Sequence, residues 1–304
     1  MIPDASRPAD SLRKSTVPAG DKRQLLDQVL QRAGASAILS IGQGLRDGDF
    51  DPLWRASAKA KSPAMLFQGW RRLEGYAHST NRVELIHDDK AEVLCRRYAV
   101  GTDTPPGPAE NLLICGVLLA LLEMIGCQGI ACQMPQIKGA NADIYTDGVI
   151  HLPDVQGESL DTTTWTIRWQ SFETSAIPDA SDAQDFIIPL PDECPPLARR
   201  IVGSSVEHLS ADFLRQWKVG ELAQTLGLSQ RSLQRRFGEA ELSFSDLVRA
   251  LRIQEASRLL EERETPLGVV GFCAGFSDSA HFSRDFRVIT GTTPSAFREA
   301  LSDT

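Results

Sequence analysis

The chain has 304 residues, of which 42% are hydrophobic and 24% charged, which is ordinary usage for a globular protein of about two domains. Lysine and arginine number 32 against 40 aspartates and glutamates, a net charge of −8. This balance excludes a protein that binds nucleic acid by bulk charge, although it leaves room for a local basic surface. The cysteines include no C-x-x-C pair and no zinc-finger spacing, so we expect no metal site, and no motif indicates a cofactor.

The N-terminal part of the chain contains three segments that differ in composition and hydrophobic pattern. Residues 1–20 are polar and rich in proline and lack the apolar segment of a signal peptide, which predicts a flexible tail. Residues 21–33 place four apolar side chains on one helical face and stop at Gly34, which predicts a short helix. Residues 50–77 are helical in character but irregular, and we expect their apolar and aromatic side chains in a core.

The next segment alternates between strand and helix patterns. Alternating apolar and polar residues predict four strands, over 82–87, 91–98, 128–134 and 163–170. Residues 110–125 are apolar nearly all round, which predicts a buried helix ending at Gly126. The strongly apolar part of this helix is about 11 residues long, shorter than the roughly 20 that a bilayer span needs, so we expect no membrane partner. Residues 21–172 are therefore predicted to form an α+β domain.

A change of composition divides the chain. Residues 173–203 contain five prolines among several aspartates and serines and are predicted to be a linker. Residues 204–304 read as nearly continuous helix, broken only by glycine, proline and short polar turns. The expected architecture is an α+β domain followed by an all-α domain, in a cytoplasmic protein.

The most informative segment, residues 219–237, contains two helical patterns separated by a tight turn. Gly227 can adopt the left-handed conformation that ends a helix, and Ser229 is a suitable N-cap for the next one. In that next helix Leu233 and Phe237, four residues apart, are expected to face inward. Two helices joined by a glycine-containing turn are typical of a helix-turn-helix.

The opposite face of the second helix is polar and basic. It carries Gln230, Arg231, Gln234 and Arg235, and the segment that carries them contains no acid. An arginine can donate two hydrogen bonds to guanine, and a glutamine can pair with adenine, in the major groove. The alternative is an ordinary solvated helix face, the usual setting of a basic run. The turn before the helix and a second copy of the pattern favour DNA binding.

Residues 267–286 repeat the arrangement. Gly275 marks the turn, and Ser277 is the expected N-cap of the second recognition helix. Phe282 and Phe286 are expected to face inward, as Leu233 and Phe237 do in the first copy.

The two copies are joined by a helical stripe of apolar residues over 244–262. A helix of this length measures about 28 Å at roughly 1.5 Å per residue. One turn of B-DNA measures about 34 Å. A rigid helix of this size could therefore hold two recognition helices in successive major grooves on one face of DNA.

The paired unit, over residues 204–302, resembles the C-terminal domain of the AraC/XylS family of bacterial transcription regulators. The resemblance rests on LSQRSLQRRF at 228–237 and GFSDSAHFSRDFRVITGTTPSAFR at 275–298. It implies a transcription activator, not an enzyme, that binds double-stranded DNA and acts with RNA polymerase. The DNA-contacting residues expected on this basis are Ser229, Gln230, Arg231, Ser232, Gln234, Arg235, Ser279, Ala280, His281 and Arg284.

The sequence departs from the family pattern in three places. Glu241 or a neighbour stands in a turn where the family has glycine, and a non-glycine residue at positive φ costs about 1 kcal/mol or more. Gly268 and Gly271 replace alanines in the first helix of the second copy, and each costs roughly 0.8–1 kcal/mol in a helix interior. Val269 replaces a common acid. We therefore expect a less stable second copy, whose contribution depends on DNA and in which Ala280 offers only an apolar contact.

Charge further constrains how this region binds DNA. Residues 205–304 carry 12 lysines and arginines against 14 aspartates and glutamates. Sequence-independent attraction to phosphates should therefore be weak, and affinity should depend on direct readout of bases.

The first domain resembles the N-terminal region of a subgroup of this family that includes ornithine-utilisation regulators. The resemblance rests on Asn81-Arg82 and on the segment from Glu110 to Cys127. It implies a domain that binds a small-molecule effector, at residues the sequence does not identify, and that forms a homodimer. Two alternatives remain open: a constitutive DNA-binding protein whose first domain only dimerises, and an enzyme domain fused to a DNA-binding module.

Three cysteines of the first domain, Cys115, Cys127 and Cys132, offer a route to redox sensing. Inert packing is the commoner role of a buried thiol.

Overall fold

The protein, described here from a computed structural model, divides into two compact units, each formed from two segments of the chain. Unit 1 comprises Met1–Gly48 and Thr80–Glu173, and unit 2 comprises Asp49–Ser79 and Thr174–Thr304. The structure describes residues 19–46, 57–58, 60–76, 80–89, 91–136, 141–152, 160–173 and 188–302. The predicted flexible tail lies outside these residues except for its last two, which begin a helix.

The described elements follow one another in an order that separates a mixed region from a helical one. The helices are α1 (Ala19–Gln43), α2 (Pro63–Tyr76), α3 (Pro108–Ile125), α4 (Pro196–Ser210), α5 (Val219–Thr225), α6 (Gln230–Glu239), α7 (Phe244–Glu261), α8 (Leu267–Cys273), α9 (Ser279–Thr290) and α10 (Pro294–Ser302). The strands are β1 (Asn81–Asp89), β2 (Glu92–Ala99), β3 (Cys127–Gln128), β4 (Ala131–Met134), β5 (Ala142–Thr146), β6 (Val149–Ile150), β7 (Thr164–Arg168) and β8 (Ser171–Phe172). This order confirms the predicted fold class.

Unit 1 is built on a six-stranded antiparallel sheet in the order β1-β2-β7-β4-β5-β6. The hairpin of β1 and β2 confirms the first two predicted strands. Cys95 of β2 lies opposite Trp165 of β7, and both side chains are fully buried, as the alternating pattern predicts. Two short strands, β5 and β6, were not predicted and extend the sheet beyond β4. A separate pair is formed by β3 and β8.

The helices α1 and α3 cross in close backbone contact. A Cβ atom on Gly42 would come within 3.0 Å of the carbonyl oxygen of Leu113, and one on Gly116 would do the same to that of Leu39. Glycine at both positions therefore lets the two backbones touch. The helix predicted to stop at Gly34 instead resumes after it, since Gly34 interrupts α1 with a φ of 81° and α1 continues to Gln43.

The start of α3 is tied to its surroundings by Glu110. Its carboxylate accepts a hydrogen bond from the backbone N–H of Gly107 at 2.8 Å and pairs with Arg23 of α1 at 3.2 Å. The side-chain amide of Asn81 donates to the same carboxylate at 3.5 Å. The residues that carry the resemblance of the first domain, Asn81 and Glu110, thus have structural roles within unit 1.

By length and composition α3 is apolar enough to cross a membrane, and 67% of it is buried inside the protein. Burial of this kind is typical of the core helix of a globular unit, and a single such helix is weak evidence for a membrane span. Gly126 ends α3 in the left-handed conformation, with a φ of 111°, as predicted.

All six cysteines are free and buried. The sulfur atoms of Cys115 and Cys132 lie 3.7 Å apart. Burial raises the pKa of Cys132 well above its usual value and raises the pKa of Cys127 to about 12. The thiolate is the reactive form of cysteine, so these two thiols are poorly suited to redox sensing at neutral pH, and packing is the better account of them.

Unit 2 has two apolar clusters that share one helix. The first cluster joins α4, α5 and α6 to the N-terminal half of α7, through Leu247 and Leu251. The second joins α8, α9 and α10 to the C-terminal half of α7, through Ala256 and Leu260. The second cluster also contains Tyr76, the last residue of α2.

Two boundaries differ from those expected. Residues 49–79, expected within the domain 21–172, cluster with unit 2, because Tyr76 is buried among the helices of that unit. The helix α4 begins at Pro196, inside the expected linker 173–203, with proline at its first turn.

The close crossing of α1 and α3 makes a prediction about stability. Gly42→Ala should lower the free energy of unfolding of unit 1 by about 1–3 kcal/mol or more, because its methyl group has no room beside the α3 backbone. Gly44→Ala is the matched control, since a Cβ there meets no atom within 4 Å and should change stability by less than about 0.5 kcal/mol. Urea unfolding measures both, and equal effects would contradict the proposed contact.

Candidate nucleic-acid interface

The first helix-turn-helix is formed by α5 and α6. Gly227, in the turn between them, has a φ of 67°, and Ser229 caps α6 by accepting a hydrogen bond from the backbone N–H of Ser232 at 3.1 Å. Leu233 and Phe237 are fully buried in the first cluster. The predicted turn, N-cap and inward face are therefore confirmed.

The outward face of α6 carries five of the predicted contact residues in exposed positions: Ser229, Gln230, Arg231, Gln234 and Arg235. Ser232 is half-buried, and its hydroxyl lies 2.9 Å from that of Ser229. Within the described residues Arg231 forms no ion pair, so its guanidinium is available to a ligand. The polar and basic residues thus lie on the exposed side of α6, and their contact with DNA stays a prediction.

Glu239 at the end of α6 holds the two neighbouring arginines to different degrees. Arg236 is bound tightly, with its Nη1 atom 2.8 Å from Glu239, and is largely buried. The Nε atom of Arg235 lies 3.9 Å from the same carboxylate, and the Arg235 side chain stays 65% exposed. Arg235 is therefore loosely oriented and still accessible, whereas Arg236 is withdrawn from the face.

The second helix-turn-helix is formed by α8 and α9, with Gly275 in the turn at a φ of 86°. The N-cap of α9 is Asp278, not the predicted Ser277: its carboxylate accepts a hydrogen bond from the backbone N–H of His281 at 2.7 Å. This hydrogen bond lowers the pKa of Asp278. Both residues are good N-caps by type, so the sequence alone could not choose between adjacent positions.

The outward face of α9 exposes Ser279, Ala280 and Arg284. Phe282 and Phe286 are buried in the second cluster, as predicted. Arg284 forms no ion pair with any residue that the structure describes. This face therefore offers the Arg284 guanidinium and small side chains that leave room for a close approach of a ligand.

His281, the remaining predicted contact residue, is held by its own unit. Its Nδ1 atom lies 3.1 Å from the hydroxyl of Ser277, and its Nε2 atom lies 3.1 Å from the carboxylate of Asp285. Arg249 of α7 also reaches Asp285, at 3.3 Å. The group formed by Arg249, Asp285 and His281 ties the recognition helix to α7. Sequence analysis missed it, because 36 residues separate Arg249 from Asp285 and no local pattern links them.

The helix α7 connects the two helix-turn-helices and has 18 residues, about 27 Å at roughly 1.5 Å per residue. Ser243 caps it by accepting from the backbone N–H of Asp246 at 3.1 Å. Just before this cap Glu241 has a φ of 53°, which confirms the prediction of a non-glycine residue in a left-handed turn. Across the described parts of the chain, no group of three or more His, Cys, Asp or Glu side chains is arranged to hold a metal ion.

Comparison with known proteins agrees with this geometry. Residues 222–300 match the family model of a helix-turn-helix domain. The HTH-type transcriptional activator FapR of Escherichia coli is 24% identical over 98 residues, which cover 32% of this chain and 38% of FapR. The HTH-type transcriptional regulator GlxA of Rhizobium meliloti (strain 1021) is 35% identical over 78 residues, 25% of this chain and 24% of GlxA. The matches thus span well under half of the length of these relatives.

One solved structure covers most of the chain. The transcriptional regulator CdpR from Pseudomonas aeruginosa is 16% identical, with a TM-score of 0.30 over 95% of this chain and 94% of that chain. A TM-score of this size does not establish a common fold.

The strained turn before α7 makes a prediction about stability. Glu241→Gly should raise the free energy of unfolding of unit 2 by about 1 kcal/mol, because glycine adopts a positive φ without steric strain. Glu241→Ala is the matched control: it removes the same carboxylate but keeps a Cβ in the left-handed conformation, and it should bring no gain. Thermal or urea unfolding compares the two, and equal stability of the two variants would show that the turn is not strained.

Proposed function

We propose that this chain, whose residues 222–300 form a helix-turn-helix domain of the AraC type, is a bacterial transcription regulator that binds specific double-stranded DNA. The observation that carries the proposal is the presence of two N-capped recognition helices whose cores share α7. Each recognition helix has buried aromatic or aliphatic side chains on one face and, on the other, an exposed arginine that forms no ion pair with any residue that the structure describes. That combination provides both a fixed position and a hydrogen-bond donor for a base edge.

Arg231, Gln234 and Arg235 are the proposed base-reading residues of α6. All three are exposed on one face, and their side chains match the guanine and adenine pairings available in the major groove. Ser229, Gln230 and Ser232 lie at the N-terminus of α6, where hydroxyl and amide groups commonly position a recognition helix on phosphates.

In α9, Arg284 is the proposed reader, and Ser279 and Ala280 are proposed to lie at the N-terminal end that enters the groove. Ala280 can contribute an apolar contact to a thymine methyl group. His281 is proposed to contact DNA only through the edge that its hydrogen bonds leave free, since Ser277 and Asp285 occupy its two ring nitrogens.

We propose that the chain is an activator acting with RNA polymerase in the cytoplasm, that unit 1 forms a homodimer, and that unit 1 binds a small-molecule effector. FapR is named as a transcriptional activator, as is the virulence regulator VirF of Shigella flexneri, and this supports activation. The α+β architecture of unit 1, distinct from the helical DNA-binding region, supports a separate sensing role for it.

The DNA-reading face makes a prediction about affinity. A binding site is first selected from random duplex DNA with the full-length protein. Arg231→Ala and Arg235→Ala should each then weaken binding to it by about 1–3 kcal/mol, roughly 5- to 150-fold. The loss should be concentrated at one base position, because each arginine donates to a specific base edge.

Arg200→Ala is the matched control, since it removes the same charge from an exposed position of α4. This variant should lower the affinity for DNA far less than the α6 variants do. The small loss should be the same on every DNA sequence tested. An equal loss for all three variants would indicate that attraction to phosphates, not base reading, dominates binding, and would contradict the assigned face.

The proposed effector response makes a separate prediction. A library of small metabolites should contain a compound that shifts the melting temperature of the full-length protein in a saturable manner and changes its affinity for the selected DNA. Light scattering measures dimerisation as a control, since a dimer shows that unit 1 is folded. A dimer that responds to no compound would favour the constitutive alternative, and turnover of a compound would favour an enzyme domain.

A further inference from the structure

The helix α2 precedes the sheet of unit 1 in the chain but packs within unit 2. Its last residue, Tyr76, is buried in the second apolar cluster, with its ring 5.7 Å from that of Phe272 in an edge-to-face arrangement. Leu73, one turn earlier on α2, packs against the same cluster. The core of the second helix-turn-helix therefore includes side chains from outside the matched region 222–300.

Gly271 of α8 makes this packing possible. A Cβ atom at this position would come within 3.0 Å of both the hydroxyl oxygen of Tyr76 and the ring of Phe282. Gly268, one turn earlier, lies beside the same tyrosine ring. The glycines that weaken α8 as an isolated helix thus create the surface against which Tyr76 packs.

Arg72 of α2 links both halves of the DNA-binding region. Its guanidinium donates to the carbonyl oxygen of Leu214, in the connection that leads to the first helix-turn-helix. It also donates, at 3.2 Å, to the carbonyl oxygen of Phe276, two residues before the N-cap of α9. The guanidinium carbon lies 5.4 Å from the centre of the Phe272 ring, within range of a cation–π contact.

The charge of Arg72 is retained in this setting. Burial, with a smaller contribution from Arg252, lowers the pKa of Arg72 to about 10, which leaves the guanidinium protonated at neutral pH. A charged donor bonded to two carbonyl groups fixes the distance between the backbone segments that carry them. The turn that precedes α9 is therefore positioned by α2 as well as by the helices of its own helix-turn-helix.

We propose that α2 is a required part of the DNA-binding region, and that the second helix-turn-helix binds DNA only while Arg72 and Tyr76 are docked on it. The inference rests on the proposed DNA-binding function. The first helix-turn-helix has its own core with α4 and does not require α2 in the same way.

The test compares Arg72→Ala with Arg71→Ala, which removes the same charge from an exposed position of the same helix. The footprint is measured on DNA selected by the full-length protein. With the Arg72→Ala variant, this DNA should lose its protection from hydroxyl radicals in the groove assigned to α9 and keep it in the groove assigned to α6. The affinity of the variant should fall by about 100-fold or more, because two linked binding sites become one. Arg71→Ala should keep both protected grooves and its affinity.

A second pair of variants tests the contact between α2 and α8 by a substitution in α8. Gly271→Ala should lose the α9 protection as Arg72→Ala does, whereas Gly203→Ala, in open space on α4, should not. Circular dichroism and protection of the α6 groove show that a variant is folded. Unchanged protection in both Arg72→Ala and Gly271→Ala, or an equal loss in Arg71→Ala, would overturn the inference.

Amide hydrogen exchange without DNA separates failure of this inference from failure of the proposed function. Arg72→Ala should lower protection in α8 and α9 and leave α5 and α6 unchanged, even if no DNA sequence is bound. Equal protection of α9 in Arg72→Ala and the unaltered protein overturns the docking role. A complete absence of DNA binding by the unaltered protein overturns the proposed function instead.

Discussion

The packing of two apolar clusters on opposite halves of α7 is the interaction on which the DNA-binding region depends. Leu247 and Leu251 belong to the core behind α6, and Ala256 and Leu260 belong to the core behind α9. Because a helix of this length is stiff, residues buried at its two ends fix the separation of the exposed faces. The shared helix therefore leaves the exposed arginines of α6 and α9 little freedom relative to each other, as the proposed reading of two grooves requires.

The acids near the recognition helices set which basic residues are free. Glu239 binds Arg236 closely and Arg235 loosely, and Asp285 binds His281 and Arg249. In each helix-turn-helix, one carboxylate thus orients nearby basic side chains. This arrangement fits a region with more acids than bases, in which a few positioned donors, not a broad positive surface, must supply affinity.

Local signals in the sequence predicted much of this site, and long-range contacts account for what they missed. Gly227 and Ser229 act through neighbours at most four residues away, and Phe237 repeats the inward position of Leu233 one turn later, so their roles could be inferred directly from the sequence. The choice of Asp278 over Ser277 as N-cap depends on backbone placement within one residue, which composition does not specify. The membership of α2 in unit 2 depends on contacts more than 140 residues apart, for which no periodic pattern exists. Gly271 was interpreted as a weakness, because its partner Tyr76 lies in a segment assigned to the other domain.

The discontinuous origin of unit 2 has a consequence for protein engineering. A junction placed after Glu173 would separate Arg72 and Tyr76 from the helices on which they pack and leave Gly271 without the tyrosine that covers it. A chimera that carries this helical region would therefore need two pieces of chain, or a substitute helix for the missing one.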